Sequence, residues 1–513
     1  MALWLVAVVV VLLLAIGVYD VVQRKHAILR NFPVIGHLRY VLEKIGPELR
    51  QYIVTDNDEE RPFSRDQRRW VYASSKREND YFGFGSDNDF DRPPPGYVIV
   101  KHSAFPHPPV AADTDPLHPI PAAKVVGAWR GRRHAFRPAS VVNISGMSYG
   151  SLSGAAVEAL NRGAALAGCW QSTGEGGLSQ YHRCGGDLVF QIGTGYFGVR
   201  DEAGRFDLGR VVDLCAANPV RAIEVKLSQG AKPGLGGVLP AAKVNKVIAE
   251  VRGIPIGRDC ISPSYHEAFG DIDSLIEFVE RVADATGIPV GIKSAVGDER
   301  FWLQLAARMA ATGAGPDFVT IDGGEGGTGA GPLAFTDHVA LPFRVGFPRV
   351  YRSFAEHDLH HKVAFGGAGK LGFPEVALLS LALGCDWVSV AREALLSIGC
   401  VQAQRCHTDH CPTGVATQRP WLVRGLDPDL KSVRCANYVS TLRKELLRLA
   451  HACGEVHPGL VGLDRIELLD NATGSRSAAE VFGYEAGWGL PSAAEIDAVT
   501  ALLTSTPVTI TGH

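Results

Sequence analysis

Eight short runs rich in β-branched and aromatic residues recur through the middle of this chain, and no other feature restricts its fold so tightly. They are SVVNISG (140–146), CWQSTG (169–174), LVFQIG (188–193), AIEVKL (222–227), PVGIKS (289–294), DFVTIDG (317–323), KVAFGG (362–367) and DWVSVA (386–391). Near-continuous apolar runs are the mark of strands covered on both faces. Stretches of helical length separate them, which makes parallel βαβ units. Eight such units are the number that closes a barrel. The expected fold class is therefore α/β, a (β/α)8 TIM barrel, with an insertion between the fourth and fifth strands around KPGLGGVLP (232–240).

The flanks of this barrel read differently. Residues 2–19 (ALWLVAVVVVLLLAIGVY) carry no charge, and a run of roughly 17–25 apolar residues is what crossing a bilayer requires. Arg24, Lys25 and Arg30 follow the run, whereas a secretory signal carries its basic residues in front. The positive-inside rule then leaves the N-terminus outside and the rest of the chain in the cytoplasm. The expectation is a single-pass membrane helix over 1–22. A membrane-proximal segment follows over 23–90, where Leu38, Val41, Leu42, Ile45 and Leu49 repeat with helical spacing. Residues 91–121 hold nine of the 30 prolines, so extended wrapping opens the main domain, expected over 91–420. Residues 421–513 are expected to form a C-terminal helical extension, led by a packing helix over 430–454 that stops at Gly454.

A formal net charge of -3 gives no basic excess, which argues against a nucleic-acid partner. Seven of the ten cysteines are scattered without a disulfide framework, which suits a reducing compartment. Cys400, Cys406 and Cys411 are grouped, with five and then four residues between them. Three thiolates suit a three-iron cluster; a zinc site completed by His407 or His410, and three unligated core cysteines, fit the spacing as well.

Barrel enzymes place their chemistry at the C-terminal ends of the strands, often with a phosphate site after the seventh and eighth. Gly366, Gly367 and Gly369 sit at the end of the seventh run, and Ala391 and Arg392 at the end of the eighth. Glycine lets backbone N–H groups close on phosphate oxygens, and arginine adds a charged fork. The sixth run leads into DGGEGGTGAGP (322–332), opened by Gly323 and Gly324, a loop suited to hugging a flat ligand. Lys226 and Lys293 close the fourth and fifth runs, so both ammonium groups are expected at the barrel mouth; Ser145 and Thr173 stand at the ends of the first and second. IGTGYFG (192–198) has dinucleotide-site spacing, but a charged turn follows its third glycine where a helix must open.

On these residues the chain resembles the FMN-binding synthase domain of glutamate synthase. The resemblance runs over most of residues 140–470, through STGEGG (172–177), EVKLSQGAKPGLGG (224–237), GGTGAGP (326–332), the Gly366 loop and above all CVQAQRCHTDHCPTGVATQ (400–418). It implies FMN and a 3Fe-4S cluster held by Cys400, Cys406 and Cys411. It also implies hydride transfer from the reduced flavin to 2-iminoglutarate, formed from 2-oxoglutarate and ammonia, giving glutamate. Lys226, Gln229 and Lys232 match the segment on the substrate side of the flavin and Glu175 the glutamate of the family's Gly-Glu-Gly-Gly loop; these four are the expected catalytic residues. Lys293, Ser145, Thr173, Gly323, Gly324, Gly366, Gly367, Gly369, Ala391 and Arg392 are the expected flavin contacts. The chain is expected to lack the family's glutaminase part and to take electrons from an external donor, a ferredoxin or a reductase subunit. It departs from the family in its DGGEGGTGAGP loop, in AFGGAGKLG (364–372) and after GEGG (174–177). Two other roles stay open: a membrane-linked flavin dehydrogenase of a small 2-hydroxy or amino acid, and an electron-transfer module without turnover.

Overall fold

A computed structural model describes residues 1–505 except 24–25, 56–58, 79–80, 82, 84, 87, 89, 91–92, 95, 116–117 and 471–472. The chain forms two compact units, Met1–Arg69 and Trp70–His513.

In the first unit, helix Ala2–Val22 is apolar all round, with a mean hydropathy of 2.9 over its most apolar stretch and 6% of that stretch buried. Its 21 residues rise about 31 Å, close to the hydrocarbon thickness of a bilayer. Arg24 and Lys25, read above as its basic flank, lie outside the described residues. Near the helix end the Asp20 carboxylate is fully buried. It accepts the Val34 N–H at 2.9 Å and pairs with His37 Nε2 at 2.9 Å. Helix Gly36–Leu49 then carries Leu38, Val41, Leu42, Ile45 and Leu49 on one face, all exposed.

The second unit is built on a closed barrel of eight parallel strands. They are Val142–Ile144, Trp170–Ser172, Asp187–Ile192, Val220–Lys226, Val290–Ser294, Phe318–Asp322, Ala364–Ala368 and Trp387–Val390, each falling on one of the eight runs. The eighth pairs back onto the first, Val390 opposite Ile144. Trp170, Phe318 and Trp387 plug the lower end of the interior with Val189, Ala222 and Ala364. The Trp170 and Trp387 rings meet edge-on at 5.2 Å, a favoured aromatic geometry. Two glycines make room for these rings. A Cβ on Gly291 would lie 2.4 Å from the Phe318 ring, and one on Gly366 would lie 2.6 Å from Trp387 Nε1.

Helix Gly154–Ala167 follows the first barrel strand; Ser153 accepts the Ala156 N–H as its N-cap, and Gly168 ends it in a left-handed conformation. It packs on the long helix Pro428–Cys453, which stops at left-handed Gly454 as the sequence indicates. The two approach so closely at Gly163 that a Cβ there would stand 2.6 Å from that of Cys435. Between the fourth and fifth barrel strands the insertion forms a two-stranded hairpin, Val238–Leu239 with Cys260–Ile261, around helix Lys246–Arg252. After Gly198 the chain makes a turn closed by an Arg200–Phe206 bridge, and the next helix is Leu208–Ala216. The helix a dinucleotide fingerprint needs is therefore not at its third glycine.

Two features differ from the expectation. Residues 91–121 contain a strand, Tyr97–Val100, and the C-terminal extension contains two, Ile466–Leu469 and Ser475–Ser477. Together they form a small antiparallel sheet. The alternating side chains of YVIV find their backbone partners in IELL, more than 360 residues away, a pairing no local pattern announces. The seventh strand also runs on to Ala368, so Gly366 and Gly367 are strand residues and Gly369 is the one in the following loop.

Candidate active site

The fourth barrel strand ends in Lys226, whose Nζ donates to Glu175 Oε1 at 2.8 Å and to Gln229 Oε1 at 2.7 Å. Glu175 sits in the turn after the second strand, where left-handed Gly174 brings the backbone so near Ser148 that a Cβ would lie 2.6 Å from its nitrogen. Gly193 and Gly237 leave space for the carboxylate itself; a Cβ on either would lie under 3 Å from Glu175 atoms. Burial opposes ionisation of Glu175, yet Lys226, Lys232 and Arg252 outweigh it and hold the acid below its ordinary pKa. Lys232 is itself pushed down by burial, against the pull of Glu175. The result is an ionised carboxylate among three cations, two of them buried.

Beside it, Lys293, next to last in the fifth strand, stands in register with Lys226. Its ammonium is buried and lies 3.4 Å from Asp322 Oδ2 at the end of the sixth strand. Burial works against its charge, but Asp322, Glu224 and Glu175 together raise its pKa. Glu224 is fixed by Gln191 Nε2 at 2.6 Å. Below this charged layer lies a cavity lined by Ser145, Gly146, Ser172, Glu224, Lys293, Thr320 and Ser389 above the aromatic plug. Ser172 Oγ and Thr320 Oγ1 are buried with no hydrogen-bond partner among the described residues. Buried hydroxyls without partners are costly, so the layer is built to meet polar atoms that the chain does not supply.

The glycine loop closes over the mouth by backbone contact. The Gly323 N–H donates to Ala368 O at 2.9 Å, a Cβ on Gly369 would lie 2.9 Å from Gly323 N, and one on Gly230 would lie 1.8 Å from Gly323 O. Three loops thus meet where only glycine fits. Glu325 pins the far side by accepting the Phe343 N–H at 2.8 Å. Arg392, at the start of the short helix after Ala391, donates to the Glu325 carbonyl and lies against Gly327.

Of the sequence-derived residues, the structure brings Lys226, Glu175, Gln229 and Lys232 together, and sets Lys293 and Ser145 around the cavity beside them. Gly323, Gly324, Gly369 and Arg392 build the loop edge. Thr173 turns its hydroxyl into the backbone, donating to Gly174 O and accepting from Gln191 N. A Cβ on Gly366 would meet Trp387, and one on Gly367 would meet Leu371 and Phe343.

Cys411 is buried, and Cys400 and Cys406 are half-buried. Among the described residues, no three His, Cys, Asp or Glu side chains converge closely enough to hold a metal ion. The segment is nevertheless tightly held. Lys243, buried in the insertion, donates to the carbonyls of Cys406 at 2.7 Å, Ala416 at 2.9 Å and Ser151 at 3.1 Å. Tyr72 donates to Cys400 O at 2.8 Å, and Asp409 accepts from Thr417 and the Gln418 N–H.

Sequence reasoning missed Glu224, Asp322, Gln191 and Arg252. Glu224 could have been found, because it precedes Lys226 by two on one strand and so shares its face. Asp322 required the register of the fifth and sixth strands. Arg252 carried no local signal.

Residues 117–456 match the model of the conserved region in glutamate synthase. A glutamate synthase large subunit-like protein of Bacillus subtilis, YerD, is 39% identical over 486 residues, 88% of this chain and 91% of that protein. An archaeal-type glutamate synthase (NADPH) of Thermotoga maritima is 36% identical over 334 residues, 64% of this chain and 60% of that protein. Among solved structures, an active chimera of (S)-mandelate dehydrogenase aligns over 78% of this chain and 98% of its own, with a TM-score of 0.45 and 13% identity. The matched region carries the barrel, the charged mouth and the cysteine segment, and by it the chain belongs to the glutamate synthase family of oxidoreductases.

Proposed function

We propose that the barrel reduces the imine formed from a 2-oxo acid, 2-oxoglutarate, and ammonia to the amino acid glutamate, using FMN and electrons from an external donor such as a ferredoxin or reductase subunit. The observation that carries this reading is Lys226, held between Glu175 and Gln229 at the end of its strand, two residues beyond the Glu224 that lines the barrel cavity. Bound FMN, once reduced, supplies a hydride. Its polar edge fits the unpartnered Ser172 and Thr320 hydroxyls with Lys293 and Ser145, and its phosphate fits the edge formed by Gly323, Gly324, Gly369 and Arg392.

On the substrate side, Lys226 offers a positioned ammonium to a carboxylate and to the charge that develops as the C=N bond is reduced. Fixed charge of this kind, in a site poor in water, stabilises a transition state by a few kcal/mol. Glu175 and Gln229 hold that ammonium in place, and Lys232 and Arg252 give a second carboxylate cationic company. Cluster ligation by Cys400, Cys406 and Cys411 rests on the spacing of the three cysteines. Among the described residues no three ligating side chains converge here, so loading would have to rearrange the segment. Helix Ala2–Val22, by its length and exposed apolar surface, supports a single-pass anchor with the barrel in the cytoplasm.

Anaerobic purification tests the reading. The protein should hold FMN and about three irons per chain, and single serine substitutions at Cys400, Cys406 or Cys411 should remove the iron. Once reduced, it should be reoxidised by 2-oxoglutarate with ammonia and form glutamate. Stoichiometric zinc without iron would overturn the cluster; a reduced flavin that no 2-oxo acid reoxidises would overturn the synthase reading.

A further inference from the structure

The first unit carries an apolar surface that the membrane-spanning helix does not explain. Helix Gly36–Leu49 places Leu38, Val41, Leu42, Ile45 and Leu49 at i, i+3, i+4, i+7 and i+11, one continuous stripe. All five are exposed, from 38% for Leu49 to 59% for Leu38. Phe32 and Ile35, in the turn before the helix, are 62% and 76% exposed and extend the stripe toward the end of helix Ala2–Val22. So much contiguous apolar side chain facing water marks a surface made for something else.

The opposite face decides what. It carries Arg39 and Lys44 against Glu43 and Glu48, with Arg39 paired to Glu43 at 3.6 Å. Two cations and two anions leave no net charge, so nothing there selects an acidic or a basic protein. A strong apolar face, a charged polar face and low net hydrophobicity describe a helix that lies in the plane of a membrane interface. The start of the helix is tied to the last turn of the apolar helix: Asp20 binds both His37 and the Val34 N–H. The stripe therefore begins at the depth where an apolar helix long enough to cross a bilayer would leave it.

We propose that helix Gly36–Leu49 is a lipid-surface helix, its Leu38, Val41, Leu42, Ile45 and Leu49 face set into the boundary between headgroups and acyl chains, with the Asp20–His37 pair fixing its start at the membrane plane. The inference rests on the anchor reading of helix Ala2–Val22. Because the polar face is neutral, zwitterionic lipid is sufficient as the partner and anionic lipid is not required.

The test uses the full-length chain in phosphatidylcholine vesicles containing a phospholipid with a carbene-generating diazirine on its acyl chain, with labelled peptides mapped by mass spectrometry. Label is expected both within residues 2–22 and on the 38, 41, 42, 45 and 49 face, leaving Arg39 and Glu43 unlabelled. The double substitution Leu42→Glu with Ile45→Glu should lower labelling of residues 36–49 by about tenfold while residues 2–22 stay labelled, because two buried charges are expelled from the interface. Label confined to residues 2–22 overturns the inference and leaves the anchor standing. A zero-length crosslink between two copies across this helix, with no lipid label on it, overturns the inference in favour of self-association. No label in either segment overturns both.

Discussion

Lys226 and Lys293 are register partners on neighbouring parallel strands, yet each answers to a different carboxylate, Glu175 at 2.8 Å and Asp322 at 3.4 Å. Register partners stand about 4.8 Å apart in the backbone, so without those acids two ammonium groups would face each other in a site largely closed to water. The arrangement divides the mouth into two charged halves, one beside the Gln229 segment and the other beside the glycine loop. It makes the two lysines separable by mutation.

Lys226→Met keeps much of the stem and removes the charge on the Gln229 side. Anaerobic reoxidation of the reduced protein by 2-oxoglutarate and ammonia should slow at least about a hundredfold, about 2.7 kcal/mol of transition-state stabilisation. Flavin content should be unchanged, since Lys293 and the glycine loop are untouched. Rates equal to wild type would make Lys226 a structural residue.

Asp322→Asn acts on the other half. It leaves the Lys293 ammonium buried with only Glu224 and Glu175 near, and breaking a buried ion pair by removing one partner costs about 3–5 kcal/mol. The urea midpoint of the barrel should fall. A midpoint unchanged in Asp322→Asn would show that Lys293 relies on the other two acids.

Lys243→Met should loosen the cysteine segment without unfolding the barrel, because its three carbonyl partners belong to the loop after the first strand and to the 400–418 segment. Amide exchange over 400–418 should accelerate, and Cys411, buried in the native protein, should react with iodoacetamide about tenfold faster, as expected of a segment whose local opening has become easier. Unchanged exchange would place the hold on the segment with Tyr72 and Asp409 instead.

His457 gives a pH prediction. Burial lowers its pKa from 6.5 to about 4. The neutral ring donates from Nε2 to Pro121 O at 2.8 Å and accepts the Gly459 N–H at Nδ1. The unfolded chain therefore binds this proton more readily than the folded one. The contribution is complete above pH about 6.5 and is lost as pH falls toward about 4, at up to about 1.4 kcal/mol per pH unit. His182 and His360 are lowered in the same direction. In His457→Gln the slope of stability against pH over this window should drop by about one proton relative to wild type.

The barrel was legible because each of its strands is short, apolar and bounded, so the count alone fixed the closure. The long helix ending at Gly454 was legible from its cap. The mouth was half legible: Lys226 and Lys293 stood out as charges interrupting apolar strands. Asp322, the partner of Lys293, did not, since which acid meets that lysine depends on strand register. That Gly366 also leaves room for Trp387 could be seen only with the ring in place. The Tyr97–Val100 strand was hidden among prolines, and its partner lies beyond the barrel. The cysteine spacing was plain, but spacing does not say whether thiols converge.

That small sheet has a mechanical consequence. Tyr97–Val100 runs antiparallel to Ile466–Leu469, with Tyr97 opposite Leu469 and Val100 opposite Ile466. The Lys101 N–H adds a bond to Arg465 O just past the paired strand, and the Gly96 N–H one to Leu469 O at its outer end. Tension arriving along the chain from before residue 96 pulls on the Tyr97 end, while the partner strand is rooted in the body of the unit at its Ile466 end. The ladder is then loaded in shear, its bonds sharing the force together instead of parting one at a time.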